Sequence, residues 1–168
     1  MGPGAPYIAV VGPSEADEDT CALAAQVGRL LAQRGAVVVC GGQGGVMEAA
    51  AMGASQASGS ILGILPGRDR AQANQYVTTA VATGLGELRN GLVVRASDAL
   101  VAVGGSWGTL SEVALALRQG MPVVSLHGWS IVDDAGAAVT GTIAASSPAE
   151  AVDTVLARAG DADQLDGA

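Results

Sequence analysis

Residues 104–112 read Gly104-Gly105-Ser106-Trp107-Gly108-Thr109-Leu110-Ser111-Glu112. They follow a short apolar run at 99–103 that is typical of a buried strand, and they lead into a helical stretch at 109–119. Glycines carry no Cβ, so an anion can approach their backbone, and the free amides at the positive end of the next helix attract it. The stretch therefore predicts a strand–turn–helix unit that binds a phosphate group.

On either side of this unit, short apolar runs alternate with helical stretches. The predicted strands lie at 7–11, 36–40, 61–65, 76–79, 99–103, 122–126 and 136–144, and the predicted helices at 14–34, 46–58, 86–96, 109–119 and 147–158. This alternation is typical of βαβ units, which form a mostly parallel sheet with helices on both faces. We therefore predict an α/β, three-layer Rossmann-like domain whose ligand lies outside the carboxyl ends of the strands.

A second glycine-rich turn, at 41–45, follows the strand predicted at 36–40 and opens the next helix. One such turn is often only tight packing, but two at the same edge of a parallel sheet favour a ligand site. The glycines of this turn that we assign to nucleotide binding are Gly41, Gly42, Gly44 and Gly45. Ser14 follows the first predicted strand and either contacts the ligand or, with Asp17, only caps the first helix.

Within the turn at 104–112, Gly105, Ser106 and Gly108 are assigned to phosphate binding. Thr109 is expected to cap the helix and to donate its hydroxyl to the phosphate. Glu112 lies three residues later on the same helix face, so we expect its carboxylate beside the phosphate, near a sugar. The alternative is a plain tight turn with a capping residue and a surface Glu.

Other polar and aromatic residues allow two interpretations each. Trp107 either stacks on a base or covers the helix end. Arg89, followed by Asn90, has five donors that suit a phosphate or a leaving group, but from spacing alone we expect a surface salt bridge. His127 has no positioned nucleophile and reads as structural. Glu48 opens the second helix on the ligand side or only complements the helix dipole.

Composition excludes several kinds of site. All eight basic residues are Arg, and without Lys the chain can form neither a pyridoxal phosphate Schiff base nor a Walker-type P-loop. A pyridoxal-phosphate-dependent lysine decarboxylase is therefore excluded. Two Cys and one His are too few for the usual structural zinc sites, so we predict no metal, and Cys21 and Cys40 read as reduced thiols. The run at 41–45 lacks the G-x-G-x-x-G fingerprint of NAD-dependent oxidoreductases.

The length of 168 residues indicates the number of domains, and the net charge of −8 indicates the kind of partner. The length fits a single domain at 1–168, with a core at about 7–158 and an acidic, frayed tail at 160–168. An acidic chain is a poor partner for nucleic acid or an anionic membrane, so the expected partner is a small phosphorylated ligand. We find neither a leader nor an apolar run that spans a bilayer, and we expect a cytoplasmic protein.

Taken together, Arg89-Asn90, Ser97-Asp98, the stretch at 104–112 and the loop at 41–47 resemble the LOG-like (SLOG) superfamily. This group includes the Lonely Guy phosphoribohydrolases and the molybdenum cofactor carrier proteins, and the resemblance covers about residues 7–158. The hydrolase signature is Pro-Gly-Gly-x-Gly-Thr-x-x-Glu. In this chain Gly104 replaces the Pro of that signature and Ser106 replaces its second Gly. The hydrolases also have an Arg-Lys pair, in which Asn90 replaces the Lys here. These three departures are more similar to the carrier branch.

The resemblance implies that Arg89 and Glu112 occupy catalytic positions and that Gly108 and Thr109 belong to the phosphate loop. One hypothesis is an enzyme that hydrolyses the N-glycosidic bond of nucleoside 5′-monophosphates, with Glu112 kept ionised by the helix end and Arg89. The alternative is a non-catalytic carrier of molybdopterin. No further cofactor is expected in either case. The resemblance also implies a homodimer or higher homo-oligomer, for which the Ala-rich helices at 20–34 and 49–58 offer close-packing faces.

Overall fold

The computed structural model describes residues 4–139 and 141–162. The strands are β1 (Tyr7–Val11), β2 (Val37–Cys40), β3 (Ile61–Leu65), β4 (Thr79–Ala82), β5 (Ala99–Val103), β6 (Val123–Leu126) and β7 (Ile143–Ala145). The α-helices are α1 (Glu18–Gln33), α2 (Val46–Gln56), α3 (Asn90–Arg95), α4 (Trp107–Arg118) and α5 (Pro148–Ala162), and short 3₁₀ turns lie at Arg70–Gln72 and Gly86–Arg89. Among the described residues, no helix combines the length and apolarity needed to cross a membrane.

All seven strands form one parallel sheet in the order β4-β3-β2-β1-β5-β6-β7. From β1 the chain first builds outward to β4 and then returns to the other side of β1 with β5. The strand order therefore reverses between β1 and β5, and such a switch point is where ligands bind in open α/β sheets. This topology confirms the predicted Rossmann-like fold, with a wholly parallel sheet.

Alternation along the strands divides the core into two layers. Ile8 and Val10 of β1 face the layer that contains α1, α2 and α5, whereas Ala9 and Val11 face the layer of α3 and α4. Both layers consist almost entirely of Ala, Val, Leu and Ile. Short aliphatic runs form these strands because each one is buried on both faces.

The helix starts correct two predictions. Asp17, not Ser14, caps α1, since its Oδ1 accepts a hydrogen bond of 2.8 Å from the amide of Thr20. Ser106, not Thr109, caps α4, since its Oγ accepts from the amide of Thr109 at 3.2 Å. Asp17 and Ser106 both have extended backbone geometry, which lets each side chain turn back onto the first turn of its helix, whereas Thr109 already lies within α4.

Elements at the ends of the sheet also differ from the predictions. The strand expected at 76–79 lies at Thr79–Ala82, because Thr79 pairs with Leu62 of β3. The strand expected at 136–144 is β7 at Ile143–Ala145, and the preceding residues instead form a bridge between Val132 and Ala138. Helix α5 continues past 158 to Ala162, and the rest of the predicted tail lies outside the described residues.

The Ala-rich faces of α1 and α2 pack against each other within the chain. A Cβ on Gly28 would collide with the carbonyl oxygen of Ala50, and a Cβ on Gly53 would collide with that of Ala25. The two helices therefore approach backbone to backbone at both positions. This contact uses the small residues that we considered as a subunit interface, so they no longer argue for one.

Candidate ligand site at the carboxyl edge of the sheet

The loops after β1, β2 and β5 meet at the switch point. Gly45, with φ of 62°, lies so close to the loop after β1 that a Cβ there would collide with the carbonyl oxygen of Pro13. The amide of Val46 donates to that same oxygen at 3.0 Å. On the other side, a Cβ on Gly104 would lie 3.5 Å from Cδ of Pro13. The topology thus brings both predicted glycine turns to one place.

The first turn of α4 presents unpaired amides at this edge. The hydroxyl of Ser106 lies 2.9 Å from that of Thr109, which is buried. Trp107 and Gly108 are both exposed, and their amides have no hydrogen-bond partner among the described residues. The first amides of a helix have no intrahelical acceptor, so these two donors can bind an anion.

Arg89 is the central charged residue of the site. It is only 6% exposed, and its Nη1 lies 3.6 Å from Oε1 of Glu112. Nη1 also donates to Oδ1 of Asn90 at 2.9 Å, and Nη2 donates to Oε1 of Gln43 at 3.3 Å. Nε is buried without a partner among the described residues. A Cβ on Gly41 would lie 2.5 Å from both Nη atoms, so the glycine leaves the space that the guanidinium occupies.

The surface salt bridge expected for Arg89 from spacing alone is therefore wrong. Glu112 is only partly ionised at neutral pH and not fully ionised as predicted, because burial raises its pKa to about 7 although Arg89 acts to lower it. Burial also lowers the pKa of Arg89, partly offset by Glu112. The family resemblance implied that the two charges share one site but not that they are buried, and burial outweighs the favourable charge of Arg89 here.

A chain of hydrogen bonds joins the Arg89 segment to the first turn of α4. Nδ2 of Asn90 donates to Oγ of Ser111 at 3.0 Å, and that hydroxyl donates to the carbonyl oxygen of Gly108 at 2.8 Å. Asn90 thus contacts Arg89 with one end of its amide and α4 with the other. The sequence places Asn90 in the site but gives no signal for Ser111.

The other assigned residues of the first two loops line the same edge. Gly42 has a φ of 73° and packs against Leu65, so it is needed for the turn itself. Gly44 is half-buried and has more open space, and a Cβ there would lie 3.5 Å from the carbonyl oxygen of Ser14. Ser14 is exposed, and Glu48 is half-buried in the first turn of α2. A ligand role for Ser14 stays a prediction.

Two tryptophans cover the turn after β5. Trp107 is 79% exposed and meets Trp129 edge to face, with ring centroids 5.2 Å apart. The ring of Trp129 lies on Gly105, where a Cβ would collide with it. Sequence reasoning missed Trp129 because it lies in an irregular loop after β6, although only two Trp occur in the whole chain. In the same loop, His127 is exposed and has a φ of 54°.

Both cysteines are free, and Cys40 is the buried one. It ends β2 directly before Gly41. Burial raises the pKa of its thiol to about 11, although the amide of Gly42 and Arg89 act to lower it. The thiol is therefore neutral at physiological pH and behaves as a small apolar core residue.

Comparisons with known proteins give the site a context. A model described as the SLOG cluster4 family matches residues 5–152. An uncharacterized protein of Archaeoglobus fulgidus is 46% identical over 119 residues, which cover 71% of this chain and 78% of the relative.

Two solved structures are similar over nearly their whole lengths. The molybdenum cofactor binding protein of the phototrophic bacterium Rippkaea orientalis is 36% identical, with a TM-score of 0.81 over 91% of this chain and 96% of its own. The Moco carrier protein of Chlamydomonas reinhardtii is 34% identical, with a TM-score of 0.81 over 94% of this chain and 99% of its own.

Proposed function

Because this chain belongs to the SLOG cluster4 family, we propose that it binds a phosphorylated pterin of the molybdopterin type and carries it without converting it. The similar proteins of Rippkaea orientalis and Chlamydomonas reinhardtii are named for binding or carrying the molybdenum cofactor. Their similarity covers at least 91% of this chain.

The observation that carries the proposal is the pair of amides of Trp107 and Gly108, unpaired among the described residues, at the exposed first turn of α4. Unpaired amides at a helix N-terminus bind an anionic group such as a phosphate. The hydroxyl of Ser106 lies in the same turn and adds a further donor. The buried charge of Arg89, packed against Gly41, adds to the positive potential of this edge without direct contact through Nε.

The burial of Glu112 favours a carrier function over hydrolysis. Its side chain is only 8% exposed and lies against Arg89, so little of the carboxylate is accessible to a sugar or a water molecule. The replacements at Gly104, Ser106 and Asn90 also depart from the phosphoribohydrolase signature. Glu112 then serves to hold the guanidinium in place.

Thermal unfolding with and without molybdopterin, under anaerobic conditions, tests the proposal. A ligand at about 100 times its Kd stabilises the folded state by roughly 2.7 kcal/mol. For a domain of this size we expect a rise in Tm of about 5–10 °C. An unchanged Tm at saturating molybdopterin would contradict the proposal.

Two glycine variants make this test specific to the site. Gly41→Ala is expected to displace the guanidinium of Arg89 and to weaken binding about tenfold or more, because the new Cβ lies 2.5 Å from both Nη atoms. Gly91→Ala is the matched control, since a Cβ there meets nothing within 4 Å. Equal affinities of the two variants for molybdopterin would mean that Arg89 does not contribute to binding.

Hydrolysis of nucleoside 5′-monophosphates is the second candidate, and one observation favours it. With a pKa of about 7, Glu112 titrates in the range that suits a general acid or base. The test is to incubate a panel of these nucleotides with wild type and Glu112→Gln and to separate free base and ribose 5-phosphate by chromatography. Release by the wild type alone would support hydrolysis and contradict a pure carrier.

We also propose that the chain acts as a single-domain, cytoplasmic protein and, as the family resemblance implies, as a homodimer or higher homo-oligomer. Light scattering coupled to size-exclusion chromatography tests the assembly, with twice the 16.4 kDa chain mass expected for a dimer. A monomer at micromolar concentration would contradict this prediction.

A further inference from the structure

A cavity of about 390 Å³ lies beneath the segment between β6 and β7. Leu110, Val113 and Leu117 of α4 form one wall, and Ile131 and Val139 of the segment form another. The volume is in the usual range for small-molecule sites. At one end the cavity is lined by the phosphate turn itself, through Gly104, Gly105, Ser106 and Thr109. A ligand held at that turn therefore has direct access to the cavity.

Among the described residues, the lining contains no Arg, Asp or Glu; its polar side chains are the hydroxyls of Ser106, Thr109, Ser125, Ser130 and Thr142, with His127 and Trp129. Arg89 and Glu112 do not contribute to it. On α4, Glu112 and Val113 are consecutive and point about 100° apart, so the helix separates the charged cluster from the cavity. A cavity that combines apolar side chains with several hydroxyls accepts an uncharged ring and offers hydrogen bonds to its polar atoms.

Trp129 forms the part of the lining closest to the phosphate turn. Its ring lies on Gly105, is supported edge-on by Trp107, and remains 48% exposed. The two exposed tryptophans are in contact and form an aromatic surface patch, and a flat aromatic face stacks well on another flat ring. His127, at the mouth of the cavity, has a φ of 54°, a conformation that costs free energy and is concentrated at functional sites.

We propose that this cavity is the subsite for the uncharged, planar heteroaromatic ring of the ligand whose phosphate is bound at the first turn of α4, with Trp129 as the stacking residue that selects for it. The proposal rests on the proposed binding function and adds to it the place of the ring and the residue that recognises it. A pterin satisfies these demands, and so does a purine.

Tryptophan fluorescence is a direct measurement, because both Trp of the chain lie at this site. We would titrate the protein with molybdopterin and, separately, with adenosine 5′-monophosphate. The variants are Trp129→Ala, which removes the stacking face, and Trp129→Phe, which retains an aromatic ring. Val132→Ala is the control, since Val132 is exposed in the same segment and does not line the cavity.

Stacking on an aromatic side chain contributes about 1–3 kcal/mol, so we expect Trp129→Ala to raise Kd by about five- to 150-fold. Trp129→Phe should recover much of the affinity, and Val132→Ala should bind like the wild type. Ala144→Leu reaches the cavity from β7 without touching Trp129, and it should weaken binding because it fills the space for the ring. Unfolding of each variant without ligand verifies that the fold is intact.

The outcomes separate this proposal from the proposed function. If Trp129→Ala and Ala144→Leu bind molybdopterin like the wild type, the carrier function stands and the ring subsite is overturned. If the wild type binds the nucleotide and not molybdopterin, the carrier function is overturned. The affinities of Trp129→Ala and Ala144→Leu for the nucleotide then test the ring subsite. If the wild type binds neither probe, both proposals are overturned.

Discussion

Nη1 of Arg89 and Oε1 of Glu112 lie 3.6 Å apart, and each side chain is only 8% exposed. Burying two charges costs free energy that their mutual attraction does not always return. Such a pair is weak evidence for stability, and we expect its main effect to be the fixed position of Arg89, whose Nε is also buried without a partner among the described residues.

Removing Arg89 alone should destabilise the protein more than replacing both partners. Arg89→Met leaves Glu112 buried without a partner, and we expect a loss of about 3 kcal/mol in the free energy of unfolding at mildly alkaline pH. The double variant Arg89→Met/Glu112→Leu should recover most of this loss, yet it should bind no molybdopterin. Urea denaturation measures both free energies. A double variant as unstable as the single one would mean that the pair itself stabilises the fold.

Stability should fall as pH rises through neutrality. Burial raises the pKa of folded Glu112 to about 7, well above the value of an exposed Glu, so the folded state binds this proton more tightly than the unfolded chain. The contribution is complete below the unfolded pKa and is lost as pH rises through about 7. Glu112→Gln should therefore show a flatter dependence of the free energy of unfolding between about pH 5 and 8. Parallel curves for the two proteins would contradict the raised pKa.

Two helix caps separate stability from binding. Ser106 caps α4 and Ser147 bonds the amide of Glu150 at the start of α5, each at 3.2 Å. Replacing either Ser by Ala should cost about 1 kcal/mol. Only Ser106→Ala should also weaken molybdopterin binding, because Ser147 does not line the cavity or the glycine turns. Thermal unfolding and fluorescence titration of both variants test this. Equal affinities of the two variants for molybdopterin would mean that Ser106 acts only as a helix cap.

Helix α1 should tolerate no side chain at Gly28. Gly28→Ala places a Cβ on the carbonyl oxygen of Ala50, so the helices must separate and we expect a loss of several kcal/mol. Gly160→Ala is the control, since it lies exposed in α5 with nothing within 4 Å of a new Cβ, and it should gain about 0.5–1 kcal/mol. Similar Tm values for both variants would contradict the backbone contact.

The sequence predicts the inner strands of the sheet well because each is a continuous apolar run with clear ends. The bounds of β1, β3 and β5 match the predicted runs, since each apolar run is ended by Gly, Pro or a polar residue. The strands β4 and β7 lie at the two edges, are short and are partly exposed, so their positions depend on pairing with a neighbour and not on composition.

The site is predicted only in part for a similar reason. The order of motifs brings Arg89, Asn90 and Glu112 together, but their burial depends on Gly41 of a distant loop. Trp129 carries no local signal, because its role arises from contact with Gly105 across the sheet edge. Spacing along the chain reveals neither the depth of a side chain nor a contact between separate loops.

Because α1 and α2 touch backbone to backbone at Gly28 and Gly53, the loops that precede them cannot move apart without breaking that contact. Helix α4 is held differently: Ala116 packs into the core, whereas Leu110, Val113 and Leu117 line the cavity. We therefore expect the loops before α1 and α2 to be the more rigid side of the site, and α4 with the β6–β7 segment to be the more compliant side. Ligand entry should slow amide hydrogen exchange in α4 and the β6–β7 segment, and leave that of α1 and α2 unchanged.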